Sequence, residues 1–240
     1  MSARRLYLLD VEGTVAPIAF VYERLFPYAR ERFGAYLNKS WSDAAVQEDL
    51  ARLVQENRME TDVDAPRFEL SSEIEVSREK TLSYLLWLMD RDRKSTALKS
   101  LQGKLWKIGF EAGELQGELF ADVPEALTRW SKSGCVAIYS SGSVEAQKLL
   151  FRYSSYGDLT PYISSYFDTR AGAKTAIASY RAIVEAMGVI PEGAIFFSDV
   201  LRELDPAREA GLGTRLVMRP GNAAVEEGHG HVAIDSFAGA

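Results

Sequence analysis

Four short runs, three of them built on continuous apolar stretches, constrain this chain more than any other feature. They are Leu6, Tyr7, Leu8 and Leu9 within residues 5 to 10, "CVAIYSSGS" from Cys135, "AIFFSDV" from Ala194, and "GTRLVM" at 213 to 218. Each is too short for a buried helix and lacks the alternation of a half-exposed strand, so each reads as a strand covered on both faces. Helical patterns lie between them. "SVEAQKLLFRY" (143 to 153) opens on a serine N-cap and carries Val144, Leu149 and Leu150 on one side. "KTAIASYRAIVEAMG" (174 to 188) sets Ile177, Tyr180, Ile183, Val184 and Met187 at helical spacing and stops at Gly188. "DPAREAG" (205 to 211) predicts Asp205 as N-cap, Pro206 at the first helical position and Gly211 after the end. Strands and helices alternating through short connections specify an α/β fold, a Rossmann-like doubly wound parallel sheet.

Residues 20 to 120 have another character. "YARERFGAYL", "DAAVQEDLARLVQ", "KTLSYLLWLM" and "TALKSLQGKLWKIGFEAG" are helical patterns, with a loop rich in Asp and Pro at 60 to 72. The expected organisation is a discontinuous core, 1–19 and 121–240, with a helical cap inserted at 20–120. Trp87 and Trp106 fall on apolar helix faces there and read as core. The charge run "DRDRK" at 90 to 94 reads as a solvated turn between helices. The tail after Pro220 is rich in Gly and Ala and reads as irregular, with His229 and His231 solvated in it.

Lys and Arg total 28 against 34 Asp and Glu, a formal net charge of -6. That balance offers no footprint for nucleic acid, which needs a basic excess or stripe. Cys135 is the single cysteine, so neither an intrachain disulfide nor a zinc cluster of cysteines can form, and it reads as a small apolar residue in its strand. The apolar stretch near the N-terminus is four residues long, too short for a signal peptide or membrane span. The expectation is a cytoplasmic monomer with no membrane partner.

In open α/β sheets ligands bind at the carboxyl ends of the strands. The first run ends in Asp10 with Glu12 beyond it, the second in Ser140 and Ser141 before Gly142, and the third in Asp199 with Glu203 four residues on. Lys174 follows "DTRAGA" and is expected to open a helix. Alone, each has a bland reading as a cap, a turn or a surface lysine; together, in this order and at these places, they form a rim. Two carboxylates ~4 Å apart at an effective dielectric near 20 repel by about 4 kcal/mol. A hard dication relieves this, and oxygen-only ligands point to Mg²⁺. A lysine in a first helical turn would oppose the helix dipole at roughly 0.3–1 kcal/mol. That placement suits a bound phosphate rather than stability, so Lys174→Ala would be expected to leave stability unchanged or slightly raised.

Asp10-Val-Glu12-Gly-Thr14, Ser140, Lys174 and Asp199 match in order the four signatures of the haloacid dehalogenase-like superfamily of aspartate-nucleophile phosphatases. "LLDVEGTVAPIAFVYERLFPYAR", "DRKSTALKSLQGKLW", "IYSSGSVEAQKLLF", "FDTRAGAKTAIASY" and "VMRPGNA" resemble the enolase-phosphatase (acireductone synthase) family of methionine salvage over most of the chain. Val15 and Ala16 stand where a threonine pair is more usual, and Ala176 where an acidic residue is common. The resemblance implies a catalytic set of Asp10, Glu12 and Lys174, with Asp10 as nucleophile and Glu12 as general acid and base. It implies phosphate held by Ser140, Ser141 and Lys174, and Mg²⁺ held by the carboxylates of Asp10 and Asp199 and the main-chain carbonyl of Glu12. The implied substrate is a small phosphorylated diketone, 2,3-diketo-5-methylthiopentyl 1-phosphate, enolised and then dephosphorylated. Rivals are a phosphatase of another metabolite without the enolase step, and a dead relative serving as a scaffold. The second would be expected to lack Asp10 or Asp199. The helical insertion, in particular Arg93, Lys94 and Lys99, is expected to select the substrate.

Overall fold

The apolar runs become strands of one six-stranded sheet: β1 (Arg5–Leu9), β2 (Gly134–Tyr139), β3 (Ser165–Phe167), β4 (Ala194–Ser198), β5 (Gly213–Val217) and β6 (Val232–Ile234). The computed structural model describes residues 5–225 and 228–239. All five strand pairings are parallel, in the order β3-β2-β1-β4-β5-β6. This is the Rossmann-like doubly wound order, in which the winding reverses at β1 and leaves a crevice beyond the carboxyl ends of β1 and its neighbours.

The helices are α1 (Ile18–Phe20), α2 (Phe26–Ser40), α3 (Ala44–Met59), α4 (Ile74–Asp90), α5 (Thr96–Glu111), α6 (Val123–Ser133), α7 (Val144–Arg152), α8 (Ile177–Ala186) and α9 (Leu201–Glu209). The chain divides into two compact units, Met1–Tyr22 with Leu115–Ala240, and Glu23–Glu114. The helical insertion is thus shorter at both ends than 20–120. Residues beyond 114 are bonded into the sheet-bearing unit: Gly117 N–H donates to the Tyr153 carbonyl at 2.8 Å and Phe120 N–H to that of Val15 at 3.0 Å.

Continuous apolar runs follow from burial on both sheet faces. On one face Leu6, Leu8, Ala137, Tyr139, Phe196 and Leu216 pack with Tyr180, Ile183 and Val184 of α8 and Leu204 and Ala207 of α9. On the other, Trp130 of α6 stacks on Tyr7 at 4.9 Å and meets Phe197 at 5.1 Å and Phe237 at 5.2 Å. Each such side chain contributes about 1.5–3 kcal/mol on leaving water.

The sheet-bearing unit departs from the sequence reading in four places. The strands β3 and β6 were not expected, and β6 lies in the tail that reads as irregular. With β6 comes His231, which is buried rather than solvated. Its Nδ1 lies 2.7 Å from Thr214 Oγ1 and its Nε2 3.2 Å from Asp205 Oδ1, and burial pushes its pKa down. The helix expected to start at Pro206, with Asp205 as its N-cap, starts at Leu201, drawn in by the burial of Leu204 and Ala207, so Pro206 is internal at the loss of one helical bond. Finally, α8 starts at Ile177 with Ala176 as N-cap, so Lys174 precedes the helix. By contrast Ser143 caps α7 as read, its hydroxyl accepting from Ala146 N–H at 3.2 Å.

The helical unit has its own core, with Phe33, Leu50, Leu53, Leu85, Leu101 and Leu105 at its centre. Trp87 is part of it and Trp106 packs on it while donating to the Leu25 carbonyl at 2.8 Å. Arg93 is an internal tie here, paired with Glu60 and lying over the Trp87 ring, which accounts for part of the "DRDRK" run without a ligand. Buried Asp49 is paired with Lys104. Among the described residues no helix is long and apolar enough to cross a membrane.

Candidate active site

Where β1 ends the chain turns sharply. Gly13 N–H donates to the Ala16 carbonyl at 2.8 Å, and Val15 and Ala16 N–H to that of Val11 at 2.9 and 3.0 Å. This folds Asp10 and Glu12 back at the strand's mouth. Gly13 has φ +73°, and a Cβ there would lie 2.4 Å from Asp199 Oδ2. Only glycine lets the β1 loop and the end of β4 approach this closely. Gly13→Ala should therefore displace Asp199 as well as strain the turn. We expect turnover to fall at least ~10²-fold, the scale for misplacing catalytic geometry by about 1 Å. Kinetics on the purified variant, with its circular dichroism as control, checks this.

Asp10 is 3% exposed and Lys174 8%. Lys174 Nζ sits 2.6 Å from Asp10 Oδ1 and 2.5 Å from Glu203 Oε2. Val11 N–H also donates to Asp10 Oδ1 at 2.7 Å, and Ser198 Oγ lies 3.2 Å from Asp10 Oδ2 and 3.1 Å from Glu203 Oε2. From β2, Ser140 Oγ donates to Glu12 Oε2 at 3.2 Å while accepting from Gly142 N–H at 3.1 Å. The carboxyl ends of β1, β2 and β4 thus bring Asp10, Glu12, Ser140 and Asp199 together with Lys174, and Ser141 stands exposed on the rim. The expectation that Lys174 opposes a helix dipole is corrected: it is a buried loop residue between two carboxylates.

Four carboxylates against one ammonium leave the cluster with excess negative charge. Burial, followed by the charge of Asp10, raises the pKa of Glu12. The same causes in the same order, with Glu203 added, push Asp199 up to about 7. Burial alone would lower the pKa of Lys174, but Asp10 and Glu203 outweigh it and hold the ammonium above its ordinary value. Asp199 Oδ1 is buried with no hydrogen-bond partner. An unpartnered buried carboxylate oxygen beside a second carboxylate is suited to holding a cation. Among the described residues no three His, Cys, Asp or Glu side chains group as a metal site. The Asp10 and Asp199 carboxylates offer only hard oxygen donors, a chemistry that suits a hard dication such as Mg²⁺ better than a soft metal.

Several supporting residues were not singled out from the sequence. Arg219 is buried between the rings of Phe120 and Phe237, 4.6 Å from each centroid, and its Nε donates to the Thr14 carbonyl at 3.2 Å. Asn222 Nδ2 donates to the Gly13 carbonyl at 3.0 Å. Both belong to "VMRPGNA", whose signal in the sequence was the resemblance alone. Ser198, one residue before Asp199, carried no signal at all.

A family model described as haloacid dehalogenase-like hydrolase matches residues 5–211. A protein of Synechococcus elongatus named enolase-phosphatase E1 is 50% identical over 222 residues, covering 92% of this chain and 91% of that one. An Arabidopsis thaliana protein named "Probable bifunctional methylthioribulose-1-phosphate dehydratase/enolase-phosphatase E1" is 44% identical and covers 98% of this chain and 47% of its own. Among solved structures, the UTR4 protein of Saccharomyces cerevisiae superposes with a TM-score of 0.80 at 34% identity, covering 99% of this chain and 100% of that one.

Proposed function

The chain belongs to the enolase-phosphatase E1 family of haloacid dehalogenase-like hydrolases, and from that premise we propose that it enolises and dephosphorylates 2,3-diketo-5-methylthiopentyl 1-phosphate in methionine salvage. The observation that carries the reading is the convergence of Asp10 and Glu203 on one buried ammonium where the sheet's winding reverses, with Glu12 and Asp199 close enough to feel the charges of Asp10 and Lys174. The two activities named for the Arabidopsis relative support the substrate. Loss of water from a methylthioribulose phosphate gives a diketo phosphate, which is the compound an enolase-phosphatase would need.

In this reading Asp10 attacks phosphorus, the bond from phosphorus to the substrate oxygen breaks, and an aspartyl-phosphate remains. Glu12, whose pKa is raised by burial and by the charge of Asp10 and which Ser140 orients, gives its proton to the departing oxygen. It then takes a proton from water, which attacks phosphorus and returns Asp10 with release of inorganic phosphate. Ser140, Ser141 and Lys174 hold the phosphoryl oxygens, and Lys174 offsets the charge that builds on them. Mg²⁺, held by Asp10, Asp199 and the Glu12 carbonyl, would neutralise the carboxylate cluster and the phosphoryl group.

Following phosphate release and ene-diol formation together on the diketo phosphate tests the reading. Coupled appearance of both is expected. Phosphate without ene-diol would assign a plain phosphatase.

The metal is tested separately from activity. Saturation at ~100-fold over its dissociation constant should stabilise the wild type by about 2.7 kcal/mol. Asp199→Asn should lose that shift, yet melt higher than wild type without metal, because the amide relieves repulsion from Asp10 and Glu203. Thermal denaturation with and without Mg²⁺ reads both.

A further inference from the structure

Lys174 is delivered to the nucleophile by a segment with no regular structure of its own. It follows the short 3-10 turn Thr169–Ala171 and precedes α8, whose N-cap Ala176 makes no side-chain cap. Main-chain carbonyls in such a segment have no helix or strand ladder to pair with, and only that of Ala173 takes a local main-chain bond, from Ala176 N–H at 3.0 Å. Three consecutive ones receive side-chain hydroxyls. Tyr139 Oη donates to the Gly172 carbonyl at 2.9 Å, Ser179 Oγ to that of Ala173 at 2.8 Å, and Tyr180 Oη to that of Lys174 at 2.6 Å. The Tyr180 hydroxyl also lies 2.9 Å from the Glu203 carbonyl, a shared bond that ties together the main chains of both members of the Lys174–Glu203 pair.

All three donors are buried. Their rings and methylene would pack as well without oxygen: Tyr180 lies edge-on to Tyr139 at 5.7 Å and against Phe196 at 5.2 Å, contacts that phenylalanine would keep. Burying a hydroxyl costs free energy unless it is bonded, so packing alone does not explain these oxygens. Gly172 adds a second indication. Its φ is +123°, and a Cβ there would stand 2.2 Å from Ser179 Oγ, so the glycine makes room for that hydroxyl.

We propose that Tyr139, Ser179 and Tyr180 are positioning residues forming a hydroxyl clamp that fixes where Lys174 meets Asp10. Tyr180 additionally keeps Lys174 in register with Glu203. None of the three touches the reacting atoms; they act through the lysine, and their effect on rate rests on the role given to Lys174 above.

Two measurements on the full-length protein test the clamp. In a double-mutant cycle on the diketo phosphate, Tyr180→Phe should lower kcat about tenfold, the scale of one lost buried hydrogen bond, with KM changed by less than about twofold. In a Lys174→Ala background the same substitution should change kcat by less than about twofold, because the group it positions is gone. Equal fold-losses in the two backgrounds would overturn the proposal, since a residue supporting only the fold penalises both alike. Amide hydrogen exchange over 168–176 reads the clamp without turnover: exchange should quicken about tenfold in Tyr180→Phe while β1 and β4 stay as protected as in wild type. Unchanged exchange in that segment would overturn the clamp itself. Should Tyr180→Phe not fold, Ser179→Ala and Tyr139→Phe carry both measurements. A wild type that releases no phosphate would remove the proposed function, and the exchange result would still decide the clamp.

Discussion

Asp10→Asn should lower phosphate release by ~10⁴-fold or more, on the scale of removing a covalent nucleophile from a preorganised site, and leave the fold intact. An amide oxygen is a far weaker nucleophile than a carboxylate, and no other group is placed to substitute. Glu12 is engaged by Ser140, and Glu203 by Lys174 and Ser198. The fold survives for two reasons. Asparagine's carbonyl oxygen can take the Oδ1 place and accept from Val11 N–H, while its amide NH2 can donate to the Ser198 hydroxyl oxygen. The lost pairing with Lys174 is offset by relief of the repulsion that Asp10 exerts on Glu12, Asp199 and Glu203. Single-turnover assays with thermal denaturation check both halves. Turnover near wild type would sink the assignment of Asp10.

The carboxyl-end rule made Asp10, Glu12, Ser140 and Asp199 legible because each follows a strand buried on both faces. Such strands announce themselves as continuous apolar runs, and whatever polar residue ends the run is at the crevice. The same signal fails for β3 and β6, which are three residues long, sit at the sheet's two edges and keep partly exposed side chains. His231 was misread for a related reason: its partners Thr214 and Asp205 are 17 and 26 residues away in sequence and come together only once β6 pairs with β5. Tyr180 and Ser179 look like ordinary helix residues. Nothing in a periodic pattern reveals that their hydroxyls serve the segment that precedes the helix. Lys174 was placed in the right site by its order among the motifs, but its surroundings were wrong, because helical periodicity from Ile177 onward does not say where the helix begins.

That difference reverses an expectation about stability. A first-turn lysine opposing a dipole could be removed at no cost, whereas a buried lysine between two carboxylates cannot. Lys174→Ala should lower turnover at least ~10²-fold, the scale for losing one preorganised charge at a reacting oxygen. It should also destabilise the protein by about 3–5 kcal/mol, as when one partner of a buried ion pair is deleted and the other charge is stranded. The pH dependence has a definite sign. Burial and Asp10 already raise the pKa of Glu203 against the opposing charge of Lys174. Without the lysine that opposition disappears, so the folded variant holds a proton at pH values where the unfolded chain has lost it. Stability therefore rises as pH falls, and the variant's deficit should shrink as pH is lowered from the alkaline side toward the ordinary carboxylate range. Melting curves across that range, beside kcat at one pH, separate the possibilities. A deficit that stays constant with pH would mean that stranded carboxylates are not its cause, and a large deficit with near-normal kcat would make Lys174 a structural residue alone.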